Sequence, residues 1–117
     1  MTLETAGILF RTARGVPFDQ LLFPDFPAGP VDFEIVARVR GFAADRAYNL
    51  FYFFRPPGGE LGESPHFICR PPHPPERVLI VSCPSFTFPR PGIYTFALYA
   101  GPRRLATAQL RASPQKP

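Results

Sequence analysis

An all-β fold, an antiparallel sandwich of about seven strands, is what this 117-residue chain predicts. Three observations carry the prediction. Residues 31–40 alternate apolar and polar side chains, Val36 excepted, and in residues 93–99 two sets of side chains alternate one by one, the period of an extended strand and not of a helix. The 17 prolines exceed the roughly 5% of ordinary chains. They gather in "FPDFPAGP", "RPPGG", "RPPHPPE" and "CPSFTFPRPG", between short apolar runs, which is the punctuation of an all-β domain. No segment keeps a long helical period free of proline, whose place inside a helix costs about 3 kcal/mol.

The elements follow in order. "GILFRTA", residues 7–13, is a first strand. Residues 15–30 have no clear period; one short helical turn is expected around Asp19 to Leu22, followed by an irregular loop. Residues 31–40 are the cleanest strand. Val31, Phe33, Ile35, Ala37 and Val39 face the core, and Asp32, Glu34, Arg38 and Arg40 face water, with Val36 the exception. "AYNLFYFFR", residues 47–55, is apolar on both faces. Residues 66–70 and 77–83 are two further strands, expected to pair as a hairpin through the "PPHPP" loop.

The last hairpin is the best specified. Tyr94, Phe96 and Leu98 alternate with Ile93, Thr95, Ala97 and Tyr99. Both sets are largely apolar, so this strand is expected to be central and covered on both sides. Gly101-Pro102 breaks it, since proline offers no ladder hydrogen and glycine tolerates positive φ. Residues 105–110 return. At the entry, Pro91-Gly92 suits the middle of a type II turn. Tyr94 then stands where a corner tyrosine turns its hydroxyl back to the upstream backbone, the alternative being an ordinary aromatic with its tip in water.

With "FP" before "FEIVARVRG", then "FTFPRPGIYTFALYAG", then "RRLATAQL", the chain resembles a family of short bacterial proteins of unknown function with an immunoglobulin-like antiparallel β-sandwich. The shared pattern is a proline-glycine-x-tyrosine-x-phenylalanine corner, here Pro91, Gly92, Tyr94 and Phe96, and a closing leucine-alanine strand. The resemblance covers most of the chain. It implies the fold, and it carries over no activity and no functional residue. Phe96 occupies the place of the cysteine that antibody domains use, so their disulfide is not expected.

The length fits one domain, residues 1–117, with 112–117 expected to be a frayed tail. With 45% hydrophobic and 15% aromatic residues, a core is feasible without staples. The net charge is +4 and is spread along the chain as arginine. The N-terminus lacks a basic region followed by an apolar run, and no apolar stretch is long enough to span a membrane. A cytoplasmic protein with two free thiols is expected.

Chemistry-bearing constellations are sparse. His66, Cys69, His73 and Cys83 have the right types for zinc but not the paired spacing. In the expected hairpin Cys69 and Cys83 would lie about 17 Å apart, too far for a disulfide or a shared metal. No cofactor is expected. Ser64, Ser82, Ser85 and Ser113 have no elbow motif around them. Glu60 and Glu63 read as a solvated loop before they read as a paired-carboxylate site. Arg38, Arg40 and Arg46, with Tyr48 and Tyr52, form a weak nucleic-acid surface, set against a solvated sheet face.

The remaining signal is the strand 47–55. Tyr48, Leu50, Tyr52 and Phe54 share one face, and a sandwich core uses only one face of a strand. The chain is therefore expected to be a non-catalytic protein-interaction or self-assembly module. Its interface would be Tyr48, Leu50, Tyr52 and Phe54, unless the segment 15–30 folds over them. The partner is another protein or a second copy; a nucleic-acid or small-ligand binding sandwich is the alternative.

Overall fold

The computed structural model describes residues 3–59 and 61–115. Glu60 of the carboxylate pair and the last two residues of the expected tail lie outside the described residues. Ten strands follow in order: β1 (Glu4–Thr12), β2 (Pro17–Phe18), β3 (Gln20–Phe23), β4 (Ala28–Arg40), β5 (Tyr48–Arg55), β6 (Gly62–Glu63), β7 (Phe67–Cys69), β8 (Glu76–Phe88), β9 (Gly92–Ala100) and β10 (Arg103–Pro114). The seven expected strands are all present, as β1, β4, β5, β7, β8, β9 and β10, and β2, β3 and β6 add to them.

Two sheets pack face to face. The first runs β2-β1-β4-β8; the second runs β3-β10-β9-β5-β6, with β7 also paired to β5. The connectivity is immunoglobulin-like. β1, β4 and β8 take the places of strands A, B and E, and β5, β9 and β10 those of C, F and G. Among the described residues the D place beside β8 is unfilled, because β6 and β7 both join β5 instead.

The core sits between the sheets. β4 supplies Phe33, Ile35, Ala37 and Val39, and β9 supplies Tyr94, Phe96 and Leu98, all buried. The tyrosine corner closes one end of the core. The Tyr94 hydroxyl donates to the Arg90 carbonyl at 2.5 Å and accepts from the Arg90 amide at 3.3 Å. Gly92 beside it has φ +139°, and a Cβ there would lie 2.7 Å from Pro57 Cγ, so only glycine fits.

Four expectations are corrected. Residues 19–22 are not a helical turn: β3 is a strand, parallel to β10, with Gln20 opposite Arg111 and Phe23 opposite Pro114. Phe23 then reaches Phe88 at 5.5 Å, so local helix propensity yields to tertiary pairing. The same ladder fixes residues 112–114, and the Gln115 amide donates to Phe23 O at 2.7 Å, so this part of the tail is not frayed. Residues 66–70 and 77–83 are not a hairpin. β7 pairs with β5 and β8 with β4, in different sheets, because the proline-rich loop carries the chain across the sandwich. Finally, β9 is central but covered on one face only: Ile93 on the outer face is 40% exposed.

Candidate functional site

β5 was the candidate interface, and its register with β9 decides which way it faces. Tyr52 lies opposite Leu98 and Phe54 opposite Phe96. Directly opposed residues share a face, and Leu98 and Phe96 are core. Leu50 and Tyr52 are therefore buried, at 0% and 2% exposure. Phe54 packs among Phe86, Tyr94 and Phe96. Tyr48 packs on Phe42 and His73, and its hydroxyl accepts from the Ala43 amide at 2.9 Å. The expected interface set is thus core, a correction that follows from the pairing.

The outward face of β5 carries Phe51 and Phe53, and these cover one another. Phe51 stacks on His66 at 4.3 Å and on Tyr99 at 5.6 Å; Phe53 meets Tyr99 edge-on at 5.0 Å. His66 is held flat by Asn49 and Glu63. The Asn49 amide nitrogen donates to Nδ1 and Nε2 donates to the Glu63 carboxylate, each at 2.9 Å. Phe51 is left 7% exposed. The segment 15–30 does not fold over β5 at all. β3 pairs with β10 at the far edge of the second sheet, and β2 pairs with β1 in the first, where Phe18 meets Phe33 at 6.1 Å.

The other sequence candidates are dispersed. His73 is buried in the loop before β8, stacked on Phe42 at 5.0 Å. Its Nε2 donates to the Arg46 carbonyl at 2.6 Å, and its Nδ1 accepts from Arg77 at 3.3 Å. Cys69 belongs to the core at β7, and Cys83 lies on β8 in the opposite sheet. Burial raises both thiols: Cys83 is pushed up to about 11, while Arg77 partly opposes the rise at Cys69. Among the described residues no three His, Cys, Asp or Glu side chains gather into a metal-binding group.

The arginines of the nucleic-acid reading are engaged. Arg38 lies 3.4 Å from Glu76 and Arg40 lies 2.6 Å from Glu4, while Arg46 stands over the Tyr48 ring at 5.5 Å. Tyr48 and Tyr52 face the core side of the other sheet. The outer face of the first sheet is therefore a lattice of acid–base pairs, to which Arg11–Glu34 at 2.7 Å also belongs.

Apolar residues interrupt that lattice. Leu9 on β1 lies opposite Val36 on β4, and Val36 lies opposite Ile80 on β8. The row ends at the free edge of the sheet, where Val78 stands on the same face as Ile80. Leu9, Val78 and Ile80 are 45%, 52% and 50% exposed. Among the described residues β8 has β4 on one side and no strand on the other. Nothing in the alternation of residues 77–83 marks it as an edge, so the sequence reading missed it. The available signal was the proline-rich loop on one side and Pro84 on the other.

No family model matches the chain, and no curated protein matches it. Solved structures do resemble it. A β-glucosidase from Listeria innocua matches with a TM-score of 0.60 at 5% identity, over 96% of this chain and 16% of that one. The same enzyme in complex with isofagomine matches with a TM-score of 0.59. An immunoglobulin-like protein from Pseudomonas aeruginosa is 15% identical over 96% of this chain and 97% of that one, with a TM-score of 0.48. At these identities the likeness is one of fold. The chain spans about a sixth of the β-glucosidase it resembles.

Proposed function

We propose that the chain is a non-catalytic contact module that joins a second copy of itself through the β8 edge of the first sheet. The observation that carries this is the exposed pair Val78 and Ile80 on a strand with one free side, continuous with Leu9 across the sheet. Scattered surface apolar residues are ordinary, but an apolar row ending on an unpaired backbone is a template for another strand. Edges that avoid pairing carry lysines, inward charges, prolines or bulges. Residues 78–82 carry none of these. Pro84 and the positive φ of Ser85 come later and bound the flat stretch.

The edge is self-complementary. In an antiparallel pair centred on Leu79, Val78 of one copy meets Ile80 of the other, which makes an eight-stranded sheet with an apolar patch at its centre. An isologous contact of this kind suits a twofold dimer.

Sedimentation equilibrium over a concentration series tests the proposal. The wild-type chain is expected to dimerise, and Ile80→Lys and Val78→Lys to remain monomeric with unchanged thermal stability, because both positions are half exposed. A wild type that stays monomeric throughout overturns self-association.

A further inference from the structure

The space between the two sheets is not sealed on the β8 side. β6 contributes only two residues there, opposite Phe53 and Phe54, and the D place is unfilled. A cavity of about 220 Å³ remains, walled by Ile35, Tyr52, Phe54, Val81, Cys83 and Phe86, with the exposed Glu63 among its lining residues. The walls are almost wholly apolar. Among the described residues no lysine, arginine or histidine lines it.

One polar group in this wall lacks a partner. Tyr52 is 2% exposed, and its hydroxyl has no hydrogen-bond partner among the described residues. Buried tyrosine hydroxyls ordinarily find an acceptor. Tyr94, equally buried, has the Arg90 carbonyl. Tyr52 and Cys83 both line this cavity. Tyr52 is thus a buried donor among the residues that line an apolar space, and no acceptor for its hydrogen stands among the described residues.

We propose that this cavity binds a small neutral apolar molecule, of one ring or a short chain, that carries a single hydrogen-bond acceptor directed at Tyr52. Size sets the first limit. A cavity of about 150 Å³ accepts benzene, so this one has room for a ring and a small substituent. Charge sets the second. Glu63 in the lining and the lack of any cationic side chain there disfavour a carboxylate. The acceptor completes the hydrogen bonding of Tyr52, and the apolar body displaces solvent from Val81, Cys83 and Phe86. The site lies between the sheets and not on the outer row, and its open side is the one that a second β8 would flank.

The test compares two probes of nearly equal shape, acetophenone and α-methylstyrene, which differ in carbonyl against methylene. Binding is followed by the methyl resonances of Ile35 and Val81 in the full chain. Acetophenone is expected to shift both signals saturably and to bind about tenfold more tightly than the hydrocarbon, the worth of one hydrogen bond to a buried donor. Tyr52→Phe is expected to abolish that difference while keeping hydrocarbon binding. Cys83→Phe, which fills the cavity, is expected to abolish both; undiminished binding by a folded Cys83→Phe chain places the site elsewhere and overturns the proposal. The wild-type comparison stands even if a variant does not fold. Equal affinity for the two probes, or no saturable shift with either, overturns it.

Discussion

The Tyr94 hydroxyl and the Arg90 carbonyl are joined by a 2.5 Å hydrogen bond across the turn between β8 and β9. This bond ties the turn to a fully buried ring that packs on Phe88 at 5.0 Å. Tyr94→Phe keeps the ring and removes only the tie. It is expected to lower unfolding free energy by about 1 kcal/mol, the net worth of a hydrogen bond, with an unchanged denaturant slope. Urea unfolding read by fluorescence or circular dichroism checks it.

The two histidines are expected to respond differently. His73 is buried, stacked on Phe42, and bridges Arg46 and Arg77. His73→Ala opens a cavity and strands the Arg46 carbonyl, so a loss of roughly 2–4 kcal/mol is expected. His66 is 40% exposed at its side chain, and His66→Ala is expected to cost under about 1 kcal/mol. Parallel urea titrations separate them; equal losses would contradict this ranking.

Zinc is expected to have no part in stability. His66, Cys69, His73 and Cys83 are distributed over an outer face, the core, a loop and the opposite sheet. A chelator should therefore leave the melting temperature unchanged. A structural zinc contributes folding energy directly, so a lowered melting temperature would show that the four come together.

Alkaline pH should weaken the fold. Burial pushes the Cys83 thiol up to about 11 and raises the Tyr52 phenol, with the neighbouring Cys83 charge adding to the latter. Cys69 is raised in the same direction. The folded chain therefore holds these protons more tightly than the unfolded chain does. Stability is full below the unfolded thiol value of 9.0 and is lost as pH climbs towards 11. The loss by pH 10.5 is roughly 2–3 kcal/mol from Cys83 and Tyr52 together. Urea midpoints across pH 8 to 10.5 (about the span of interest) should fall, and Cys83→Ala should flatten the early part of the fall.

The core strands were legible in the sequence because their two faces differ. Phe33, Ile35, Ala37 and Val39 alternate with Glu34, Arg38 and Arg40, and that contrast fixes both the strand and its inward side. In β5 the contrast is missing. Tyr52 and Phe53 are equally plausible core residues, and only the register with Leu98 and Phe96 on β9 decides between them. Pairing over a distance of more than forty residues is not written in local periodicity. The partners of β7 and β8 were illegible for the same reason, since a proline-rich loop permits either a hairpin or a crossing between sheets. The exposure of Val78 and Ile80 follows from what is missing beside β8, which no single segment encodes.

Tyr52 illustrates the gain from knowing the register. On an outer face, Tyr52→Asp would be tolerated. In the core it places a carboxylate among Ile35, Phe54 and Phe96 and is expected to unfold the chain or to cost more than about 4 kcal/mol. Circular dichroism and thermal melting distinguish the two.

The parallel ladder of β3 with β10 has a consequence for the order in which the chain folds. Gln20 pairs with Arg111, so this contact closes one of the widest loops in the molecule and carries a correspondingly large entropic penalty. It is expected to form after the local β9–β10 hairpin. During synthesis, Gln20 to Phe23 must wait unpaired until residues 111–114 emerge from the ribosome. A nascent chain halted before Arg111 would leave that segment open to proteases, although nearly every other strand is already present.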